Sequence, residues 1–358
     1  MYGSDKVSDD LELTAFRRAE KKYKLYYDST LKNKKKKVPR EVDLSEVLDF
    51  KSILQSFNTK GQIPAGIVTL ENHSGHRLFC LENCPGFYFI PGALSVEEQC
   101  KWIKESLISF PQPPNRTNHN PFYGPMDNLF VAAKEKKVFV EELSSSPAPS
   151  VDSSLDPKRW KLVEEQEVSS IGKSCKTISA SVLLRKLRWS TLGLQFEWSK
   201  AVYIRNYDVS LPHNKIPDAL CGLAKRLAAP AMPSGEEFKP EAAIVNYFGL
   251  GDTLGGHLDD MEKDWSKPIV SLSLGCKAIF LLGGKCKEDP PVAMFLRSGD
   301  VVLMAGEARE CYHGVPRIFT DEENAEISAL ELHFSKEDNC FLDYIQTSRI
   351  NINIRQVF

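Results

Sequence analysis

The ending of the chain alternates strictly between apolar and polar residues, Ile350-Asn351-Ile352-Asn353-Ile354, which is the period of a strand buried on one face. Arg349, Asn351, Asn353 and Arg355 therefore share one side, and the isoleucines share the other. Apolar strand patterns also cover Ala243 to Phe248, Val301 to Met304 and Ile327 to Phe334. Glycine-rich or Asp-Gly turns precede key segments, from Gly249 to Gly256 and at Arg297-Ser298-Gly299-Asp300. From Val182 onward the chain reads as strands, interrupted by one helix around Asp218 to Leu227.

The first half has a different rhythm. Leu13 to Tyr27 shows helical spacing, with Phe16, Tyr23 and Tyr27 near one face among many basic residues. Such a helix either packs its aromatics on the main domain or tracks a nucleic-acid backbone. Ser95-Val96-Glu97-Glu98-Gln99 carries a capping box, Ser95 with Glu98, and Pro111-Gln112-Pro113-Pro114 stops the helix that follows. Between Asn115 and Thr177, Pro, Ser, Asn and charged residues accumulate, as in Ser144-Ser145-Ser146-Pro147-Ala148-Pro149-Ser150. That composition predicts an insertion with long mobile loops. The expected organisation is an N-terminal extension over 1–110, an insertion or linker over 111–180, and an all-β core over 181–358.

The chemistry concentrates in that core. On a strand, residues two apart point the same way, so His257 and Asp259 of His257-Leu258-Asp259 are expected to approach one metal ion from one side. A distant His313 completes two imidazoles and one carboxylate. This donor set covers half an octahedron and leaves positions open for a chelating cosubstrate and O₂, as Fe(II) oxygenases require. The face of two arginines and two amides on the last strand suits a carboxylate, because guanidinium pairs with it bidentately. A His-x-Asp alone is a weak signal in a chain with 7 histidines; its place after a strand and a glycine turn strengthens it.

Taken jointly, several strings resemble the AlkB dioxygenases. They are Leu187-Arg188-Trp189-Ser190-Thr191-Leu192-Gly193, Asn246-Tyr247, His257-x-Asp259, Ser298-Gly299-Asp300-Val301-Val302, His313 and Arg349-x-Asn351-x3-Arg355. Ile279-Phe280-Leu281-Leu282-Gly283-Gly284, Ala293-Met294-Phe295 and the ending Arg355-Gln356-Val357 are most similar to the AlkB homologue one branch. The resemblance is dense from about Ser181 to the C-terminus. It is thinner from Phe16 to Trp102, where Asp43-Leu44-Ser45-Glu46-Val47-Leu48-Asp49-Phe50 and Pro85-Gly86-Phe87 still match.

The resemblance implies an α+β fold class whose all-β core is a double-stranded β-helix, or jelly roll, with flanking helices and an N-terminal helical extension. It implies Fe(II) with 2-oxoglutarate and O₂ as cosubstrates, held between the sheets. His257, Asp259 and His313 would be the iron ligands, and Arg349 would pair with the distal carboxylate of 2-oxoglutarate. Asn246, Tyr247, Asn351 and Arg355 would line the same pocket. A lid from Arg188 to Pro212 would set Trp189, Tyr203 and Tyr207 against a base, while Phe196 and Trp198 on an alternating pattern are expected to pack in the core. Arg309 and Tyr312, beside His313, are expected to orient the metal ligands. His333 is expected to be a hydrogen-bonded core residue rather than a fourth ligand.

Two positions depart from the family pattern. Phe248 stands where many members carry an aromatic hydroxyl for the cosubstrate, and Tyr247 would face the other way on a regular strand. Met261 stands where members that repair alkylated bases carry an acidic residue, which argues against a plain alkylation-repair enzyme. The implied activity is oxidative demethylation of nucleic acid, either N6-methyladenine in DNA or 1-methyladenosine in tRNA, on an unpaired or flipped base. The products would be formaldehyde, succinate and CO₂. Oxidation of tRNA 5-methylcytosine and a protein (histone) demethylase or hydroxylase on the same iron site stay open. A non-catalytic jelly-roll module is disfavoured because all three ligands and both arginines are present.

Composition adds limits. With 46 basic and 48 acidic residues, no global basicity announces nucleic acid. The first 40 residues carry twice as many basic as acidic groups, including Lys32-Asn33-Lys34-Lys35-Lys36-Lys37-Val38-Pro39-Arg40. This run suits phosphate contact, nuclear import or a solvated tail. The 9 cysteines, odd in number and irregular in spacing, imply reduced thiols. His73-x2-His76-x3-Cys80-x3-Cys84 has ligand types that suit zinc, but its spacing is tighter than the usual paired patterns, so no structural zinc is expected. No apolar run approaches the ~18 residues of a membrane span. A monomer in nucleus and cytoplasm, without a membrane partner, is the expectation.

Overall fold

A computed structural model describes residues 13–27, 39–71, 75–141, 160–170, 175–196, 207–208, 210–320 and 324–358. The lysine run up to Val38, His73, most of the Ser- and Pro-rich stretch, Trp198 and Tyr203 lie outside them. In chain order, α1 (Ala15–Tyr23) and α2 (Phe50–Lys60) precede strands β1 (Ile67–Glu71), β2 (Arg77–Leu81) and β3 (Cys84–Ile90). Helices α3 (Val96–Ile108), α4 (Asn120–Tyr123) and α5 (Leu129–Lys134) lead to β4 (Val138–Glu141), β5 (Trp160–Val163) and β6 (Thr177–Ser179). Then come α6 (Ala180–Arg185), β7 (Trp189–Gly193), β8 (Gln195–Phe196), β9 (Tyr207–Asp208) and α7 (Asp218–Ala228). The next run is all strand: β10 (Ala242–Gly249), β11 (Leu254–His257), β12 (Ile269–Gly275), β13 (Ala278–Leu282), β14 (Val292–Leu296), β15 (Val301–Met304) and β16 (His313–Ile318). Helices α8 (Ser328–His333) and α9 (Asn339–Ile345) and strand β17 (Ser348–Arg355) complete the order.

Two antiparallel sheets face each other as a jelly roll. The major sheet runs β1-β2-β3-β15-β12-β17-β10-β7 and the minor sheet β11-β16-β13-β14. The alternation of the last strand sets the layers. Ile350, Ile352 and Ile354 are fully buried on the outer face of the major sheet, where α3 and α7 pack against β12. Arg349, Asn351 and Asn353 turn inward and line the space between the sheets with Ser271, Phe280 and Val302. Burying several branched side chains completely, at roughly 1.5–3 kcal/mol each, fixes the register that aims the polar set inward.

Several expectations change here. Three strands of the major sheet come from within the first 110 residues, so the sheet does not begin at 181. Part of the stretch expected to be mobile is folded, with β4, β5 and β6 forming a small sheet and Leu129, Phe139 and Leu183 sharing one core. Its apolar residues at Val138 to Val140 were outweighed by the surrounding Pro and Ser in the composition. Ile327 to Phe334 is not a strand; α8 covers Ser328–His333, leaving His333 exposed rather than in the core. The apolar spacing of this segment fits either period, and packing of Leu330 goes with the helix. The capping box on α3 forms as expected, with Ser95 and Glu98 exchanging bonds. In α1, Phe16 and Tyr23 are buried, whereas Tyr27 lies beyond the helix and is 40% exposed.

Candidate active site

Short β11 ends at His257, and β16 begins at His313, directly opposite it in the ladder. Asp259 lies past the end of β11 rather than on it, so the expected alternation does not aim its carboxylate. Arg355 does, donating from Nη2 to Asp259 Oδ1 at 2.8 Å, while Arg309 Nη2 donates to the Asp259 carbonyl at 2.9 Å. The result brings the three groups together. Nε2 of His313 lies 3.5 Å from Asp259 Oδ2, Nε2 of His257 lies 3.9 Å from Oδ1, and the imidazole centroids are 4.4 Å apart. One ligand atom from each lies within 4.8 Å of the others, close enough to share one metal ion, and among the described residues no other such group occurs.

Both rings are oriented by backbone. His257 Nδ1 donates to Gly255 O at 3.0 Å and His313 Nδ1 to Cys311 O at 3.3 Å. A carbonyl can only accept, so Nδ1 carries the proton and Nε2 presents its lone pair. Burial, then the neighbouring His313, pushes the His257 pKa down, which keeps it neutral as a metal ligand must be. Burial opposes ionisation of Asp259, but the Arg355 guanidinium outweighs it and holds the carboxyl well below its ordinary range. Three neutral or anionic donors around one point suit a divalent cation.

Glu262 anchors this arrangement, and the sequence reading missed it. Its side chain is fully buried, and its two oxygens accept from Arg309 Nη2 at 2.5 Å and Arg355 Nη1 at 2.9 Å. Arg309 therefore does orient the site, through the backbone and through Glu262 rather than through an imidazole. Tyr312 is engaged elsewhere, its carbonyl accepting from Gly283 N at 2.7 Å and its ring facing Phe16. Arg355 was expected in the cosubstrate pocket. Its guanidinium grips Asp259, which lines that pocket, and the buried Glu262 behind it.

Arg349 is the opposite case. It is 1% exposed, and its Nη2 donates to Ser273 Oγ at 2.9 Å, yet Nε and Nη1 have no hydrogen-bond partner. Among the described residues no carboxylate compensates it; burial pulls its pKa down to about 10, so it stays cationic at neutral pH. The Phe248 ring lies 5.4 Å from its guanidinium carbon. Asn351 Nδ2 donates to Ser271 Oγ and Leu272 O, and its Oδ1 accepts from Asn246 Nδ2 at 3.4 Å. A buried cation with two free donors, in the cavity that also holds His257, Asp259 and His313, fits an anionic carboxylate. Ser271 and Ser273, which hold Asn351 and Arg349 in this arrangement, are not singled out by the sequence motifs. Their signal was present: polar residues two apart inside the apolar run Ile269–Gly275.

Tyr247 is not in this pocket. Its hydroxyl donates to Ser106 O at 2.6 Å and shares a hydrogen with Ser190 Oγ at 3.0 Å on the outer side of the sheet. The strand is regular, so position 247 must face away from 246 and 248. Trp189 pairs with Asn246 and is half-buried. Tyr207 contributes backbone to β9, opposite Phe196, and Tyr203 lies outside the described residues. His76 is described but His73 is not, and Cys84 Sγ faces Cys311 Sγ at 3.7 Å. A wider cavity of about 780 Å³, lined by Lys134, Arg185, Arg188, Asp252, Asp343 and Tyr344 among others, touches none of the triad. Size does not mark the site; the donor set and the uncompensated cation do.

Residues 151–355 match the 2OG-Fe(II) oxygenase superfamily. The chain is 67% identical, over the full length of both proteins, to an Arabidopsis thaliana protein named DNA N(6)-methyladenine demethylase ALKBH1A. It is 31% identical to the human nucleic acid dioxygenase ALKBH1 over 80% of this chain and 68% of that one. With tRNA demethylase abh1 of Schizosaccharomyces pombe it shares 27% identity over 97% and 96% of the two chains. The geometry, the superfamily match and these relatives agree: the chain belongs to the AlkB family of Fe(II)- and 2-oxoglutarate-dependent dioxygenases.

Proposed function

We propose that this dioxygenase removes N-methyl groups from adenine in nucleic acid, with N6-methyladenine in DNA as its first substrate. Arg349 carries the reading at the site, because a buried cation with spare donors is built to receive the distal carboxylate of 2-oxoglutarate. His257, Asp259 and His313 hold Fe(II), Ser273 fixes the guanidinium of Arg349, and Arg355 holds Asp259 in place. Bound there, Fe(II), 2-oxoglutarate and O₂ supply the oxidation that converts an N-methyl to an N-hydroxymethyl group, with succinate and CO₂ formed and formaldehyde lost afterwards. The two His rings are locked by carbonyls, so metal binding requires no reorientation. The side chain of His257 is 34% exposed against 9% for His313, so the triad opens at His257. Trp189, beside Asn246 on the neighbouring strand, offers a half-buried aromatic face for a flipped base.

The choice of substrate is supported by the relative of 67% identity, which is named a DNA N(6)-methyladenine demethylase. 1-Methyladenosine in tRNA is the second reading, favoured by the full-length likeness to a tRNA demethylase. The test is turnover of methylated single-stranded DNA and of tRNA with Fe(II) and 2-oxoglutarate, read by nucleoside mass spectrometry. Loss of N6-methyladenine from DNA is expected. Oxidised 5-methylcytosine in tRNA, or turnover only on a histone peptide, would replace this assignment. We further place the protein in nucleus and cytoplasm, with the run Lys32 to Lys37 as an import signal; a fluorescent fusion lacking that run should lose its nuclear share.

A further inference from the structure

The peptide unit joining Gly255 and Gly256 is hydrogen-bonded at both ends, and both bonds bear on the metal site. Its carbonyl accepts from His257 Nδ1 at 3.0 Å. Its N–H donates to Oε1 of Glu20, a residue of α1, at 2.6 Å. We propose that Glu20 is a positioning residue for the reaction, acting through this one peptide on the imidazole of His257. The proposal rests on His257 being an iron ligand, as argued above.

The local backbone needs such an anchor. Strand β11 is short and at the edge of the minor sheet, with β16 as its sole neighbour and with irregular register between Leu254 and His257. Two successive glycines leave the peptide plane free to turn, since neither has a Cβ to restrict it. An edge N–H without a partner would also be left to solvent or to strain. The carboxylate of Glu20 supplies the partner and fixes the plane. Its orientation in turn fixes where the carbonyl points, and hence the His257 ring and its Nε2. This does for the first ligand what Arg355 and Glu262 do for Asp259.

Glu20 is held at this spot by packing. Phe16, one helical turn earlier, is 1% exposed and lies against Gly256 of β11 and Gly283, just past the end of β13. A Cβ at Gly256 would come within 2.4 Å of its ring and one at Gly283 within 2.8 Å. Tyr23 is buried on the same helix, and together with Val47 these residues join Ile279 and Leu281 on the outer face of the sheet. Arg17 Nη1 meets the second oxygen, Glu20 Oε2, at 2.6 Å and leaves Oε1 for the peptide. The helix is therefore seated directly behind the metal ligands, with a carboxylate aimed at the peptide that orients one of them.

The experiment is Co(II) titration of the purified, metal-free full chain, followed by absorbance, for wild type and three variants. Glu20→Ala is expected to weaken Co(II) binding by about tenfold, the lower range for losing an outer partner of a metal-bound histidine. Glu20→Gln keeps an oxygen acceptor and should stay within about twofold of wild type. Arg17→Ala leaves Oε1 on the peptide and should also stay within about twofold. Equal affinity of Glu20→Ala and wild type overturns the proposal. So does Glu20→Gln as weak as Glu20→Ala, since an acceptor oxygen at that spot would then not be what matters, or Arg17→Ala weakened equally, since seating of the helix alone would then explain the loss. If Glu20→Ala does not fold, Glu20→Asp replaces it, because the shortened side chain retains charge but withdraws the acceptor; undiminished binding there overturns the proposal too. Failure of wild type to bind Co(II) would instead refute the metal site itself.

Discussion

Arg349 and Arg355 stand on the same face of the same strand and are buried alike, yet they do different work. Arg355 spends its donors inside the protein, on Asp259 and Glu262. Arg349 has a serine hydroxyl, an aromatic face and two unmet donors. A buried cation that is already compensated is part of the scaffold, whereas one left without its counter-ion is a receptor for something that arrives. Sequence spacing treats the two as equivalent; the position of nearby carboxylates separates them.

The largest effect should come from the residue on which the scaffold arginine acts. Asp259→Ala removes a metal donor and leaves Arg355 with less of its compensation, so 2-oxoglutarate turnover should disappear while circular dichroism stays native. Turnover by a metal-loaded mutant would remove the basis for the comparison. The two arginines should then part company in paired titrations. Arg349→Ala should raise the 2-oxoglutarate Kd about 100-fold, the loss of a charge-assisted pair at about 3 kcal/mol, and leave Co(II) affinity unchanged. Arg355→Ala should weaken Co(II) binding about tenfold or more. If Arg355→Ala moves only 2-oxoglutarate, both residues are receptors and the distinction fails.

Glu262 sharpens the same point. Glu262→Gln retains the shape but withdraws the charge shared by Arg309 and Arg355. Leaving buried cations short of a partner should cost about 3 kcal/mol of stability, seen in urea denaturation, with Co(II) affinity falling severalfold. An unchanged midpoint would show that Asp259 alone compensates the arginines.

Glu262 also shows what was legible beforehand. Its neighbours in sequence, His257 and Asp259, announce themselves by type and spacing, and the alternation around Asn351 correctly separates the inward face from the outward one. Nothing in the string Asp259-Asp260-Met261-Glu262 says which acid is buried, because its partners come from Arg309 and Arg355, far along the chain. Glu20 is hidden for the same reason, its partner being the backbone of Gly256. Jelly-roll strands pair over long separations, so local pattern gives their faces but not their neighbours. Segments such as Ile327 to Phe334 fail differently: a short apolar run fits either period, and tertiary contacts decide.

The smallest expected effects test the face assignment on β10, where Tyr247 and Phe248 point opposite ways. Tyr247→Phe removes the hydroxyl bonded to Ser106 O and Ser190 Oγ, on the side of the sheet away from Arg349. It should lower stability by about 1 kcal/mol, roughly 2 °C in Tm, and leave the 2-oxoglutarate Kd alone. Phe248→Tyr adds a hydroxyl beside Arg349, where the ring already lies 5.4 Å from the guanidinium carbon. The aromatic face is retained, and one further donor enters a pocket with serine and amide groups at hand, so the 2-oxoglutarate Kd should tighten or loosen by less than about threefold. A tenfold tightening would mean that the cosubstrate waits for a hydroxyl this chain lacks. Sensitivity of 2-oxoglutarate binding to Tyr247→Phe would be more serious, since it would turn β10 over and take Asn246 away from Asn351 with it.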